Sequence, residues 1–329
     1  MKPIGSTQLK NLLLKKEGAC VSMYVSPTLS HDQKSLQLSM KSQLSRIRSL
    51  LHQHYPSEAG TILGSLARLI EHLQEFHLST GLAIFKSQSF EGVFSVPNLS
   101  INRAVVADSF HIRPILTSIQ HHDRYAIVVL NTDSTIYFEG SELGVQPIAP
   151  PTSGPLVILG EEPLRAGFFA KSAKTHQIIG SIDLKQDWQE NLDILFQKTR
   201  RIARQWMRNQ TSRDIDEYHI MHKKGLASDN LYQTAIAAMS RRVKSLLLEK
   251  NVYLVGRINS HTGQPILAEA NINEDNSTLD DILDDLAELV IRTGGQVRVV
   301  DSLEMPSASP LAATFFPRTP INSVKVRVG

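Results

Sequence analysis

His219 and His222 are separated by two residues and stand beside Asp216 and Glu217. On a helix the two imidazoles would share a face and offer the nitrogen ligands that zinc takes. No third histidine is near in sequence, and Lys223 and Lys224 would repel a cation, so no metal is expected. Asp133, Asp183 and Asp187 are the acids from which a two-metal nuclease centre would have to be built. The apolar run Ala126 to Leu130 brings no carboxylate to join them, and all three read as solvated acids at turns and strand ends. Cys20 is the single cysteine, which excludes an intramolecular disulfide and a cysteine metal cage; within a strand it reads as packed. Gly294-Gly295-Gln296 follows an amphipathic helix and enters a β-rich run, the place where glycine stops a helix. There is no G-x-S-x-G elbow, no P-loop and no Rossmann glycine fingerprint. No catalytic residue is assigned and no cofactor is expected.

The remaining groupings are electrostatic. Net charge is only +3, too mild to imply nucleic-acid binding, so its distribution matters more. Residues 191–224 carry eight Lys or Arg against four acids. Lys198, Arg200, Arg201, Arg204 and Arg208 lie there on a helical pattern, and arginine's forked donors suit phosphate. These five are the candidate RNA contacts; the alternative is a solvated helix face. Residues 273–288 hold seven acids and no Lys or Arg. Asp280, Asp281, Asp284, Asp285 and Glu288 are expected on the solvent side of a helix, as a face for a basic protein partner.

With 329 residues the chain is long enough for two or three domains, and 41% hydrophobic with 20% charged residues is a globular composition. No apolar run is long enough to cross a bilayer, and residues 1–20 lack a signal-peptide core, so a reducing cytoplasm is expected.

The elements that must position these residues follow from periodicity. Ala19 to Ser26 reads as a strand stopped by Pro27. Helices are expected over 31–54, with Leu36, Met40, Leu44, Ile47 and Leu51 on one stripe, and over 58–77. Strands are expected over 81–86, 92–96 and 104–107, followed by a hairpin of 125–130 and 135–139, then strands 156–159 and 178–182. A helix over 188–209 turns Leu192, Leu195, Ile202 and Trp206 inward. A polar stretch from Asn209 to Gly225 separates it from a helix over 230–250 and a strand over 252–257. Ser277 or Thr278 is expected to cap the helix that ends at Gly294, and 296–300 reads as a strand. The fold class is α/β, with boundaries near 123 and 215.

Several phrases in this order resemble the bacterial relatives of archaeo-eukaryotic class I release factors, the baeRF group, and its third family in particular. They are VSMYVSPT (21–28), TGLAIF (80–85), FHIRPIL (110–116), YAIVVLNTDSTIY (125–137), AAMSRRVKSLLL (237–248), TGGQVRVV (293–300) and LAATFF (311–316). The resemblance, which extends to Pelota, implies three domains: an N-terminal α/β domain (1–123), an RNase H-like middle domain (124–215) and a C-terminal α/β sandwich like kink-turn-binding ribosomal proteins (216–329). It also implies a ribosome-associated factor acting at the A site in termination, rescue or hibernation. In release factors a Gly-Gly-Gln tip on the middle domain hydrolyses peptidyl-tRNA; here the tripeptide lies in the last third. The expectation is therefore a non-catalytic binder. The alternatives are a peptidyl-tRNA hydrolase using Gln296, a metal-dependent nuclease using Asp133, and a self-associating interaction protein unrelated to ribosomes. The partners implied are the ribosome or rRNA, and a translational GTPase or other basic protein, with no membrane.

Overall fold

The computed structural model describes residues 2–317 apart from 4–8, 10, 15–17, 30–32, 74–80, 97–98, 100, 122–124, 142–143, 153, 173–174, 185–191, 260 and 269–280. The chain is mixed α/β. Residues 2–107 supply a five-stranded sheet of β1 (Lys2–Pro3), β2 (Cys20–Val25), β3 (Gly81–Lys86), β4 (Glu91–Val96) and β5 (Arg103–Ala107), in the order β1-β4-β3-β2-β5. The alternation of β2 divides its side chains between two cores. Val21, Met23 and Val25 meet Leu36, Met40, Ile47 and Leu51 of α1 (Gln33–His54) and Ile62, Leu66 and Ile70 of α2 (Pro56–Leu73). Cys20 and Tyr24 face the other way, toward Phe85, Phe94 and Phe110. A sheet buried on both faces explains why β2 is apolar at nearly every position.

That second face is covered by residues from the far end of the chain. One apolar cluster holds Phe85 and Phe110 together with Leu246, Leu248, Leu283, Leu286 and Leu311. Tyr24, Phe85 and Phe110 are fully buried, worth roughly 1.5–3 kcal/mol for a phenylalanine-sized side chain. The helix α3 (Arg113–His121) lies at this junction; the sequence pattern did not show it as a helix.

Residues 125–183 form a second five-stranded sheet from β6 (Tyr125–Leu130), β7 (Thr135–Ser141), β8 (Gly144–Pro147), β9 (Pro155–Gly160) and β10 (Gln177–Asp183), in the order β10-β9-β6-β7-β8. β6, β7 and β8 are antiparallel neighbours, and β9 and β10 run parallel to β6. One face packs on α4 (Glu162–Ser172) through Leu164 and Phe168, the other on α5 (Leu192–Lys223) through Leu195 and Ala203.

α5 differs from expectation. It continues to Lys223, so the polar stretch after Asn209 is helix and residue 215 lies within it; Trp188 falls outside the described residues. The last third contains β11 (Ala227–Ser228), α6 (Leu231–Met239), β12 (Val243–Glu249), the hairpin β13 (Gly256–Ile258) and β14 (Pro265–Leu267), α7 (Ile282–Arg292), β15 (Gln296–Val300) and β16 (Leu311–Phe315). Its main sheet has the order β11-β16-β12-β15. The helix expected over 230–250 is instead α6, a turn and a strand. Arg241 takes φ 55 there, a left-handed conformation that ends the helix, and the apolar run beyond it joins the sheet between β15 and β16. Ser277 and Thr278 fall outside the described residues; the cap of α7 is Asp281, whose side chain accepts from the Leu283 N–H. Among the described residues no helix is long and apolar enough to cross a membrane.

Candidate RNA-binding helix and the acidic network of α7

The 32 residues of α5 span about 48 Å at 1.5 Å per residue. Packing fixes its rotation. In its first half Leu195, Thr199 and Ala203 are buried against the middle sheet, where the Thr199 hydroxyl lies 3.0 Å from the Tyr125 hydroxyl. Gly180 on β10 permits this approach, since a Cβ there would lie 2.7 Å from Ile202 Cγ2. In its second half Tyr218 packs with Leu247, Val300 and Ala312 of the last sheet. Trp206 is half-buried, so its inward placement is only partial.

This rotation turns Lys198, Arg201, Arg204 and Arg208 to solvent. Arg200 is half-buried, its guanidinium carbon 5.7 Å from the Phe196 ring centroid. Two of the helix's acids pair with cations of the last sheet: Asp214 accepts from Arg298 at 2.6 Å, and Glu217 pairs with Lys244 at the surface. The exposed side is therefore more basic than the residue count suggests. His219 and His222 are exposed and pack beside Tyr218, with centroid separations of 5.7 and 5.6 Å. Among the described residues no group of three or more His, Cys, Asp or Glu could hold a metal ion.

The other motif residues have structural surroundings. Asp133 is exposed in the β6–β7 turn, and Asp183, at the same end of the sheet, lies 3.6 Å from Arg165; Asp187 is outside the described residues. Gly294 takes φ 92, its N–H bonds the Ile291 carbonyl and the Gly295 N–H bonds the Val290 carbonyl. That pair of bonds is the Schellman helix stop. A Cβ on Gly295 would lie 2.7 Å from the Val243 carbonyl oxygen, so a close strand approach needs glycine there too. Gln296 is exposed, but it begins β15 opposite Ser245 rather than standing on a loop.

The acidic face of α7 requires a correction. Asp280 is outside the described residues, and the other four acids do not form a solvent face. Asp281 and Asp284 are buried, and Asp285 and Glu288 are half-buried. They point toward the chain before α3. The Asp284 carboxylate accepts from the N–H groups of Ile112, at 2.9 Å, and Arg113, at 2.7 Å. It thereby caps the N-terminus of α3 from 171 residues away in sequence, where a negative charge meets the favourable end of the helix dipole. Asp281 pairs with the Arg113 guanidinium, which also donates to the Glu249 carbonyl at 2.9 Å. Tyr253 stacks beneath Arg103, with the guanidinium carbon 3.7 Å from its centroid. Burial, helped by Arg113 and Arg103, holds the His111 ring well below the usual imidazole pKa, so it sits neutral 3.3 Å from Asp284.

Asp285 and Glu288 line a cleft of about 770 Å³ together with Asp108, Arg241, Arg257 and Arg292. Burial pushes the Asp285 carboxyl up to about 8, despite a hydrogen bond from the Ile258 N–H, and the charges of Asp284, Asp108 and Glu288 act in the same direction as burial. Burial also raises Glu288, against the pull of Arg292 at 3.1 Å. Sequence reasoning missed Asp108, His111 and Arg113. The phrase FHIRPIL contains two of them, but nothing in its spacing shows that its partner is α7.

No family model matches this chain, and no curated protein matches it. Among solved structures it is similar to the archaeal translation termination factor aRF1, at 13% identity over 94% of this chain and 96% of that one, with a TM-score of 0.27. It is similar to Archaeoglobus fulgidus Pelota, at 11% identity over 96% of this chain and 93% of that one, with a TM-score of 0.33. A structure of ribosome-bound archaeal Pelota and ABCE1 gives 10% identity over 97% and 96%, with a TM-score of 0.40. No site residue is carried over from them.

Proposed function

We propose that this chain is a ribosome-associated translation factor of the release-factor and Pelota kind that works by binding rRNA rather than by hydrolysis. The observation that carries the proposal is the outward basic face of α5, where Lys198, Arg201, Arg204 and Arg208 are exposed while the acids Asp214 and Glu217 further along pair with Arg298 and Lys244 of the last sheet. Exposed cations on one face of a rigid helix meet phosphates without a base-reading pocket.

The proposal divides the chain into units of 1–123, 124–215 and 216–329. The order β8-β7-β6-β9-β10, with three antiparallel strands followed by two parallel ones, supports an RNase H-like middle unit. The helices α6 and α7 and their four-stranded sheet support an α/β sandwich for the third, of the kind seen in kink-turn-binding ribosomal proteins. The place of action is cytoplasmic, with the ribosome. Of the described acids of α7, a translational GTPase or other basic protein would have to meet Glu288, beside Arg292 in the cleft, because Asp281 and Asp284 are committed to internal partners and Asp285 is held protonated by burial.

Co-sedimentation of the purified protein with ribosomes over a salt series tests the proposal. Neutralising several phosphates predicts a linear fall of log affinity with log salt, with a slope of about −0.7 to −0.9 per phosphate contacted. Absence of co-sedimentation at low salt, or a flat salt dependence, contradicts it.

A further inference from the structure

The exposed side of α5 does not end at Arg208. Stepping by three and four residues, Lys198, Arg201, Gln205 and Arg208 are all exposed. The same stepping continues through Ser212, Asp216, His219 and Lys223, again all exposed. Three- and four-residue steps keep side chains on one helix face, so these eight positions form one stripe. It covers 26 residues, about 38 Å of helix axis. It begins where α5 packs on the middle sheet and ends where Tyr218 packs on the last one. Four of its side chains are Lys or Arg, Gln205 and Ser212 add neutral hydrogen-bonding groups, and Asp216 is the single acid. The His219 imidazole, near one end, is the one aromatic ring among the eight, so no succession of stacking rings lies along the stripe.

We propose that this whole stripe is a track for the backbone of double-helical RNA, so that Lys223 at its far end contacts phosphate as Arg201 does. The inference rests on the rRNA-binding reading and extends it in length and in the class of RNA. A straight helix carries its charges at fixed axial intervals, which suits a ligand whose phosphates are themselves held in a fixed array. Single strands are held differently, with successive bases stacked on aromatic side chains along the groove. A-form duplexes are recognised mainly by shape, phosphates and 2′-hydroxyls, for which cations and short polar groups suffice. Sequence-independent binding follows.

The test is fluorescence polarisation with the full-length protein and a labelled RNA duplex of arbitrary sequence. Its length is roughly 20 base pairs, beyond the ~16 that a double-stranded-RNA domain covers. The same RNA as a single strand is measured in parallel. Arg201→Gln and Lys223→Gln are each expected to lower the salt slope by about one and to weaken duplex binding by similar factors, on the order of tenfold at low salt. Lys41→Gln, an exposed change on α1, is the control and should leave binding unchanged. If Arg201→Gln weakens binding and Lys223→Gln does not, the extended track is wrong while the rRNA reading stands. Single-stranded RNA binding as tightly as the duplex overturns the choice of ligand. If neither substitution alters binding, the track and the reading beneath it both fail.

Discussion

At neutral pH the Asp285 carboxyl keeps its proton, because burial outweighs the hydrogen bond from Ile258 and the carboxylates of Asp284, Asp108 and Glu288 add to the effect. Its folded value of about 8 lies above the ordinary 3.8, so between those values the folded chain holds a proton that the unfolded chain releases. Its contribution is therefore most favourable below about pH 4 and is lost as pH rises toward 8. Asp285→Asn keeps an oxygen for the Ile258 N–H and removes the titration. Thermal melts should show the variant gaining on the parent as pH rises from about 5 to 8; a difference independent of pH contradicts this assignment. At the helix stop, Gly294→Val forces a β-branched residue into φ 92 and is expected to cost about 1–3 kcal/mol in denaturant unfolding. Gln296→Ala, at an exposed strand start, should change stability by less than about half a kcal/mol and leave ribosome association intact. Loss of a peptidyl-tRNA hydrolase activity in folded Gln296→Ala would overturn the non-catalytic reading.

The elements show where the sequence was legible. Strong periodicity set α1, and short apolar runs rich in β-formers set β2, β3 and β6, with boundaries within a few residues. The α5 terminus was missed because residues 209–224 are polar, although they contain no glycine or proline; the break comes at Gly225, with φ 68. The stretch 230–250 was read as one helix because a short apolar run such as Leu246 to Leu248 fits a buried helix or a buried strand equally well. The acids of α7 were placed in solvent because charge ordinarily faces water, and no local pattern reveals a cap for a helix 171 residues away. That cap gives an element-scale prediction. Asp284→Ala leaves the first N–H groups of α3 buried without an acceptor and should cost about 3 kcal/mol or more. Denaturant unfolding of this variant and of Asp284→Asn, which retains one acceptor oxygen, should rank parent, asparagine, alanine. An alanine variant as stable as the parent would mean that the cap contributes nothing.

Across the whole molecule, the first and last sheets share an apolar cluster and the Asp281–Arg113 pair, whereas the middle sheet has cores of its own. α5 connects it to the last sheet, and between Ala203 and Tyr218 none of its side chains is fully buried. Helix stability in proteins comes chiefly from packing, so residues 208–213 are expected to exchange amide hydrogens faster than either packed half. Uniform protection along α5 would contradict this.

Pelleting the Arg201→Glu, Arg204→Glu, Arg208→Glu triple variant with ribosomes over a salt series asks whether the basic face of α5 holds the ribosome. Thermal melts on the same protein report its folding. The variant is expected to fold, since exposed substitutions cost about half a kcal/mol or less each, with ribosome association largely lost at low salt. A folded triple variant that pellets as the parent does would make this face of α5 an ordinary solvated surface and contradict the account.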